Sequence, residues 1–300
     1  MRSWRSQGRS RERILCFGVQ GTGKSHAALT IMQRCPADTF FIIDNDNAWD
    51  RQIEGTELED MVREEYRGSE TKTVKGSEVT TLLRDPSYES EGGNLIIYHC
   101  DGWDENVAAI KDAFDRCGRH DWIVIDNVTM LWDDVQKKFI EQIFDSEVDK
   151  YFLEVRMQKE RNKGKSDKDA KTLGVLEGWM DWPVINAMWK ENVARYILNP
   201  PGHLFMMAEI DTLSKEADQE VKGLFGPYGV KPKGQKRTGH NPQTVMLMTV
   251  TRQGAWKMTT VKDRGQREKL EQEPVEEFAK DYLFKIGGWR ATDVNESEGA

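Results

Sequence analysis

Long apolar runs are missing from this 300-residue sequence. The longest are about five to eight residues, against the roughly 20 needed to span a bilayer, which predicts no transmembrane helix and no membrane partner. Residues Met1 to Arg13 lack the apolar core of a secretory signal and carry Arg2, Arg5, Arg9, Arg11 and Arg13 instead. Residues 1–12 therefore read as a basic arm. Cysteine is scarce: Cys16, Cys35, Cys100 and Cys117 show no C-x-x-C spacing and no accompanying His pattern. Neither a metal site of that type nor a disulfide framework is indicated, and a reducing cytoplasm is the expected compartment. Positive charge is in deficit as well. A net charge of −8 excludes a general nucleic-acid coat, so any such contact has to be a local basic groove.

What the chain does have is a repeated alternation. Short apolar runs, Ile14 to Phe17, Phe40 to Ile43, Leu95 to Tyr98, Trp122 to Ile125 and Leu204 to Ala208, read as five core strands. Helical patterns follow the first, third and fourth of them, which predicts an α/β fold with a mainly parallel sheet flanked by helices. One domain over residues 13–290 accommodates this. The pattern Leu131, Val135, Phe139, Ile143, Val148, Tyr151, Phe152 and Val155 predicts one long or two consecutive helices. A charged stretch at Lys159 to Lys171 reads as a mobile loop, and a further helix begins near Asp181, so residues 145–200 form a helical and charged insertion. Residues 211–241 are rich in Gly, Lys and Pro and read as a long, mobile basic loop. A β-hairpin over Thr244 to Val250 and Trp256 to Val261 follows, then a helix opened by Pro274. Residues 291–300 read as a disordered tail.

The most specific motif is Gly18-Val19-Gln20-Gly21-Thr22-Gly23-Lys24-Ser25, a G-x-x-x-x-G-K-S loop between a strand and a helix. Its glycines let successive backbone N–H groups turn toward a phosphate through conformations that a Cβ would obstruct. Lys24 is placed to reach the β- and γ-phosphates, and the Ser25 hydroxyl to ligate Mg²⁺. Gln20, Thr22 and His26 complete the nucleotide-binding segment. Asp126, at the carboxyl end of a buried strand, fits the second acid that holds the metal, so Ser25 and Asp126 are the expected Mg²⁺ residues and ATP the expected ligand. A carboxylate that orients the attacking water is expected after the second strand, with Asp46 the choice and Asp44 the alternative.

In this order the motifs resemble the RecA-like core. The segment Ile42-Ile43-Asp44-Asn45-Asp46-Asn47-Ala48-Trp49-Asp50 is similar to the family's stretch ending its second strand, with Asp46 where the family has a catalytic Glu. Asp126-Asn127 stands where it has Asp-Ser, and Glu209 where it has a polar sensor. The resemblance implies that residues 211–241 correspond to a DNA-binding loop, with Lys231, Lys233, Lys236 and Arg237 on the backbone of single-stranded DNA. It also implies that Lys262 and Arg264 reach toward the ATP of a neighbouring subunit, which predicts a homo-oligomer or filament with ATP at the interface. The compact size looks most like phage-encoded RecA-like, AAA-type ATPases of recombination, annealing or replication, which would place the chain in a host cytoplasm beside a single-strand-binding protein. Two other readings stay open from sequence: a nucleotide or small-molecule kinase, and a DNA-packaging or helicase-loading factor.

Overall fold

The computed structural model describes residues 11–87, 92–144, 147–163 and 181–289. Residues 1–10 of the basic arm, 164–171 of the charged stretch and the tail at 291–300 lie outside these. The expected core strands are all present: β1 (Arg13–Phe17), β2 (Phe40–Asp44), β5 (Leu95–His99), β6 (Trp122–Asp126) and β7 (His203–Ala208). Between β2 and β5 the chain forms a hairpin of β3 (Val62–Val74) and β4 (Ser77–Arg84). After β7 come a small ribbon, β8 (Ile210–Thr212) with β9 (Val230–Pro232), then β10 (Thr244–Val250), β11 (Trp256–Asp263) and β12 (Glu273–Pro274). The large sheet has ten strands in the order β12-β11-β10-β1-β7-β6-β2-β5-β3-β4. From β10 through to β3 the strands run parallel, and antiparallel strands close both edges.

The core strands are buried along nearly their whole length, as their apolar runs require when helices cover both faces of a parallel sheet. Alternate residues feed two cores. Leu15 and Phe17 face α3 (Trp103–Arg116), α4 (Val128–Phe144) and α6 (Asp181–Trp189). Ile14 and Cys16 face α1 (Lys24–Arg34) and the C-terminal π-helical turn at Ala279–Phe284. The amphipathic run after β6 divides into two helices, α4 and α5 (Val148–Arg161). Further short helices are α2 (Trp49–Ile53), α7 (Arg195–Leu198) and α8 (Gln219–Phe225).

Two expectations are corrected. Residues 211–241 are not an irregular loop: β8 pairs with β9, and Asp218 caps α8 by accepting from the Val221 N–H at 3.0 Å. The apolar contacts of Val221 and Phe225 with the core hold that helix down despite the Gly-, Lys- and Pro-rich composition. Pro274 does not open a helix. It pairs with Lys257 as an edge strand, where its missing N–H costs no ladder bond, and the helical segment starts at Phe278. No helix among the described residues is long and apolar enough to cross a membrane.

Candidate nucleotide site

Gly18 to Ser25 wraps the carboxyl end of β1 and opens α1 at Lys24. Gly21 and Gly23 have φ of 79° and 82°, in the left-handed region that favours glycine. A Cβ on Gly18 would collide with the Met248 carbonyl oxygen, so the close approach of β10 also demands glycine there. Thr22 is buried and its hydroxyl donates to Val19 O at 2.8 Å, tying the loop to itself. Lys24 Nζ donates to the carbonyl oxygens of Gly18 and Val19 at 3.1 and 3.0 Å, which folds the ammonium into the loop. Burial pulls its pKa down, and the charge of Asp126 opposes that. No acid occupies the first turn of α1, leaving the positive end of the helix open toward an anion.

The loop forms one wall of a cavity of about 710 Å³, whose other walls include Asp46, Asp126, Asn127, Glu209 and Trp256. The Oδ2 atom of Asp126 accepts the Ser25 hydroxyl at 3.0 Å and the Trp49 Nε1–H at 3.0 Å. Asn127 is locked by exchange with Asn45. The Asn127 N–H donates to Asn45 Oδ1 at 2.6 Å, Asn45 Nδ2 donates back to Asn127 O at 3.0 Å, and the Met130 N–H donates to Asn127 Oδ1 at 2.9 Å. The turn from β6 into α4 is thereby fixed, and with it the aim of Asp126.

The two acids after β2 touch each other but meet different partners. Asp44 is fully buried. It accepts the N–H groups of Ala48 and Trp49 at 3.3 and 3.2 Å and faces His99 Nδ1 at 3.2 Å. Asp46 lines the cavity. Burial, reinforced by the charges of Asp126 and Asp44, pushes its carboxyl up to about 7. Burial likewise raises Asp126 to about 6, against the bonds from Ser25 and Trp49. Crowded carboxylates beside a hydroxyl oxygen are hard donors of the kind Mg²⁺ takes, so Ser25 and Asp126 fit such an ion.

The expected cations lie in two places. Lys233 Nζ is 3.1 Å from Glu209 Oε2 and 3.9 Å from Asp133, so it stands at the rim of the cavity. Lys231 pairs with Asp211 at 2.7 Å, Lys236 pairs with Asp218, and Arg237 is exposed. Lys262 and Arg264 are elsewhere. Ile14 pairs with Thr244 and Thr244 with Asp263, which puts the carboxyl end of β11 at the edge of the sheet opposite this chain's own phosphate loop. Lys262 Nζ there donates to the carbonyl oxygens of Gly239, His240 and Pro242, and Arg264 donates to His240 O at 3.0 Å. Burial and the charges of Arg264 and Arg13 bring Lys262 down to about 8.

Sequence reasoning missed Trp49 and Trp256. Trp49 belongs to a short helix whose neighbours in sequence say nothing of Asp126, and Trp256 arrives at the loop only through the β10–β11 hairpin. The sole cue to either was a tryptophan beside a motif strand.

The mainly parallel sheet, flanked by helices and carrying a G-x-x-x-x-G-K-S loop between its first strand and first helix, defines the P-loop NTPase class of fold. No family model matches the chain, and no curated protein matches it. Among solved structures, the chain is similar to a prototypical ATPase from the type III secretion system of pathogenic bacteria, at 13% identity and a TM-score of 0.35 over 81% of this chain and 51% of that one. The chain thus spans about half the length of that protein. A likeness so loose bears on neither activity nor partner.

Proposed function

We propose that this chain binds and hydrolyses ATP in the cavity between the phosphate loop and the ends of β2, β6 and β7. The observation that carries the reading is the 3.0 Å bond from Ser25 Oγ to Asp126 Oδ2, which joins loop and second acid at the mouth of the same cavity. The loop N–H groups and the Lys24 ammonium bind the phosphates, trading the carbonyl oxygens of Gly18 and Val19 for phosphate oxygens. Ser25 and Asp126 hold Mg²⁺, which when bound neutralises charge on the terminal phosphates. Asp46, ionised, accepts a proton from the attacking water and orients it.

Single-stranded DNA is the proposed partner of the RecA-like arrangement. What supports it is Lys233, which bridges the basic segment to Glu209 at the cavity rim. A phosphate drawing Lys233 away would alter the charge facing the nucleotide. Because Lys231, Lys233 and Lys236 are paired with acids, DNA has to displace those acids, and its effect is expected to fall steeply with salt.

The test is release of phosphate from ATP by the full chain, with and without single-stranded DNA at low salt. Lys24→Ala and Asp126→Asn should each lower turnover by at least roughly 100-fold with the circular dichroism unchanged. Turnover retained in both would remove the site assignment. Turnover indifferent to DNA would leave the hydrolase and remove the DNA partner.

A further inference from the structure

The strand order gives the phosphate loop two unlike sides. β1 lies between β7 and β10. On the β7 side are Asp126, Asp46 and Glu209, the acids of the proposed hydrolytic centre. On the β10 side the hairpin brings Trp256 back against the loop. Its Nε1–H donates to Gly21 O at 3.1 Å, and its indole is so close that a Cβ on Gly23 would sit 2.8 Å from its Cδ2. The ring of His26, in the first turn of α1, meets it with centroids 4.7 Å apart and planes tilted by 46°. Both rings are half-buried and both line the cavity. His26 also borders a second cavity of about 440 Å³, between α1 residues Thr30 and Gln33 and the segment around Glu276 and Lys280.

A nucleoside triphosphate whose terminal phosphate lies at the acids has to run back across the loop, and its base then arrives on the β10 side. An aromatic face beside a phosphate site suits the flat face of a base, and such stacking tolerates any base. We propose that Trp256 and His26 form the base-stacking platform of this site, taking the purine ring of the nucleotide on the side of the loop opposite Asp46 and Asp126. The proposal rests on the ATP reading above and names the residues that hold the half of the molecule distant from the chemistry.

The experiment compares ATP with inorganic tripolyphosphate, which offers the phosphates without a base, in direct binding to the full chain. Trp256→Ala should weaken ATP roughly tenfold more than it weakens tripolyphosphate, the size of one lost base–aromatic stack. Trp256→Phe, which keeps an aromatic face but loses the bond to Gly21, should recover most of the ATP affinity. Equal weakening of the two ligands, no weakening of ATP, or a Phe variant as weak as the Ala variant would each overturn the platform. Failure of the unsubstituted chain to bind either ligand would overturn the phosphate-site reading, and the platform with it.

Discussion

Asp46 and His99 show opposite electrostatics within a few residues of the site. Asp46 is raised to about 7 by burial and the neighbouring acids, so it takes up its proton below that pH. An acid raised in the folded state gives stability below its unfolded value of 3.8 that is lost as pH rises through about 7. Asp46→Asn should therefore raise the melting temperature of the nucleotide-free protein more at pH 8 than at pH 5 while abolishing hydrolysis. An equal change at both pH values would contradict the raised carboxyl. At His99 burial opposes the charge, but bonds to Asp44 and Glu65 outweigh it and push the imidazole up to about 9. That stabilisation is complete below the ordinary 6.5 and fades as pH rises through about 9. The melting temperature lost in His99→Gln should accordingly be large at pH 6 and small at pH 10, as thermal denaturation at the two values would show.

At the scale of elements, the phosphate loop depends on strands remote from it in sequence. β10 delivers the Met248 carbonyl that excludes a side chain from Gly18, and β11 delivers Trp256. Gly18→Ala should cost about 1–3 kcal/mol through overpacking and weaken ATP binding as well, measured by denaturant unfolding and nucleotide titration. A variant of unchanged stability would mean the hairpin yields where the packing says it cannot. The hairpin of β3 and β4 was not legible because its residues are mostly polar. In Val62–Val74 only Val62 and Glu65 are buried, so no apolar alternation marks it, and pairing with β5 supplies the order instead. The ribbon β8–β9 was hidden by composition for a similar reason.

For the whole molecule, Lys262 and Arg264 carry a prediction about assembly. They stand at the opposite end of the sheet from their own phosphate loop, and the RecA-like resemblance implies that they would serve a neighbour's ATP. A chain with Lys262→Ala and Arg264→Ala keeps its loop, and a Lys24→Ala chain keeps its cations. Mixing the two inactive chains should restore part of the ATPase, since some interfaces then combine an intact loop with an intact pair. No recovery would leave Lys262 with the local role its three carbonyl contacts describe.

The sequence by itself determined the five core strands, because each apolar run is buried on both faces, and the phosphate loop, because its glycines and Lys24-Ser25 are adjacent in the chain. It also put Asp126 and Asp46 at strand ends facing one crevice. Only the tertiary structure decided that Asp44 turns toward His99 while Asp46 faces the cavity, since neighbours in sequence leave a strand end in different directions. The pairing of Lys231, Lys233 and Lys236 with acids, and the placing of Trp49 on Asp126 and Trp256 on Gly21, likewise depend on contacts between residues up to 235 positions apart. Strand order and the packing of short helices on the sheet bring such residues together, and no local pattern encodes it.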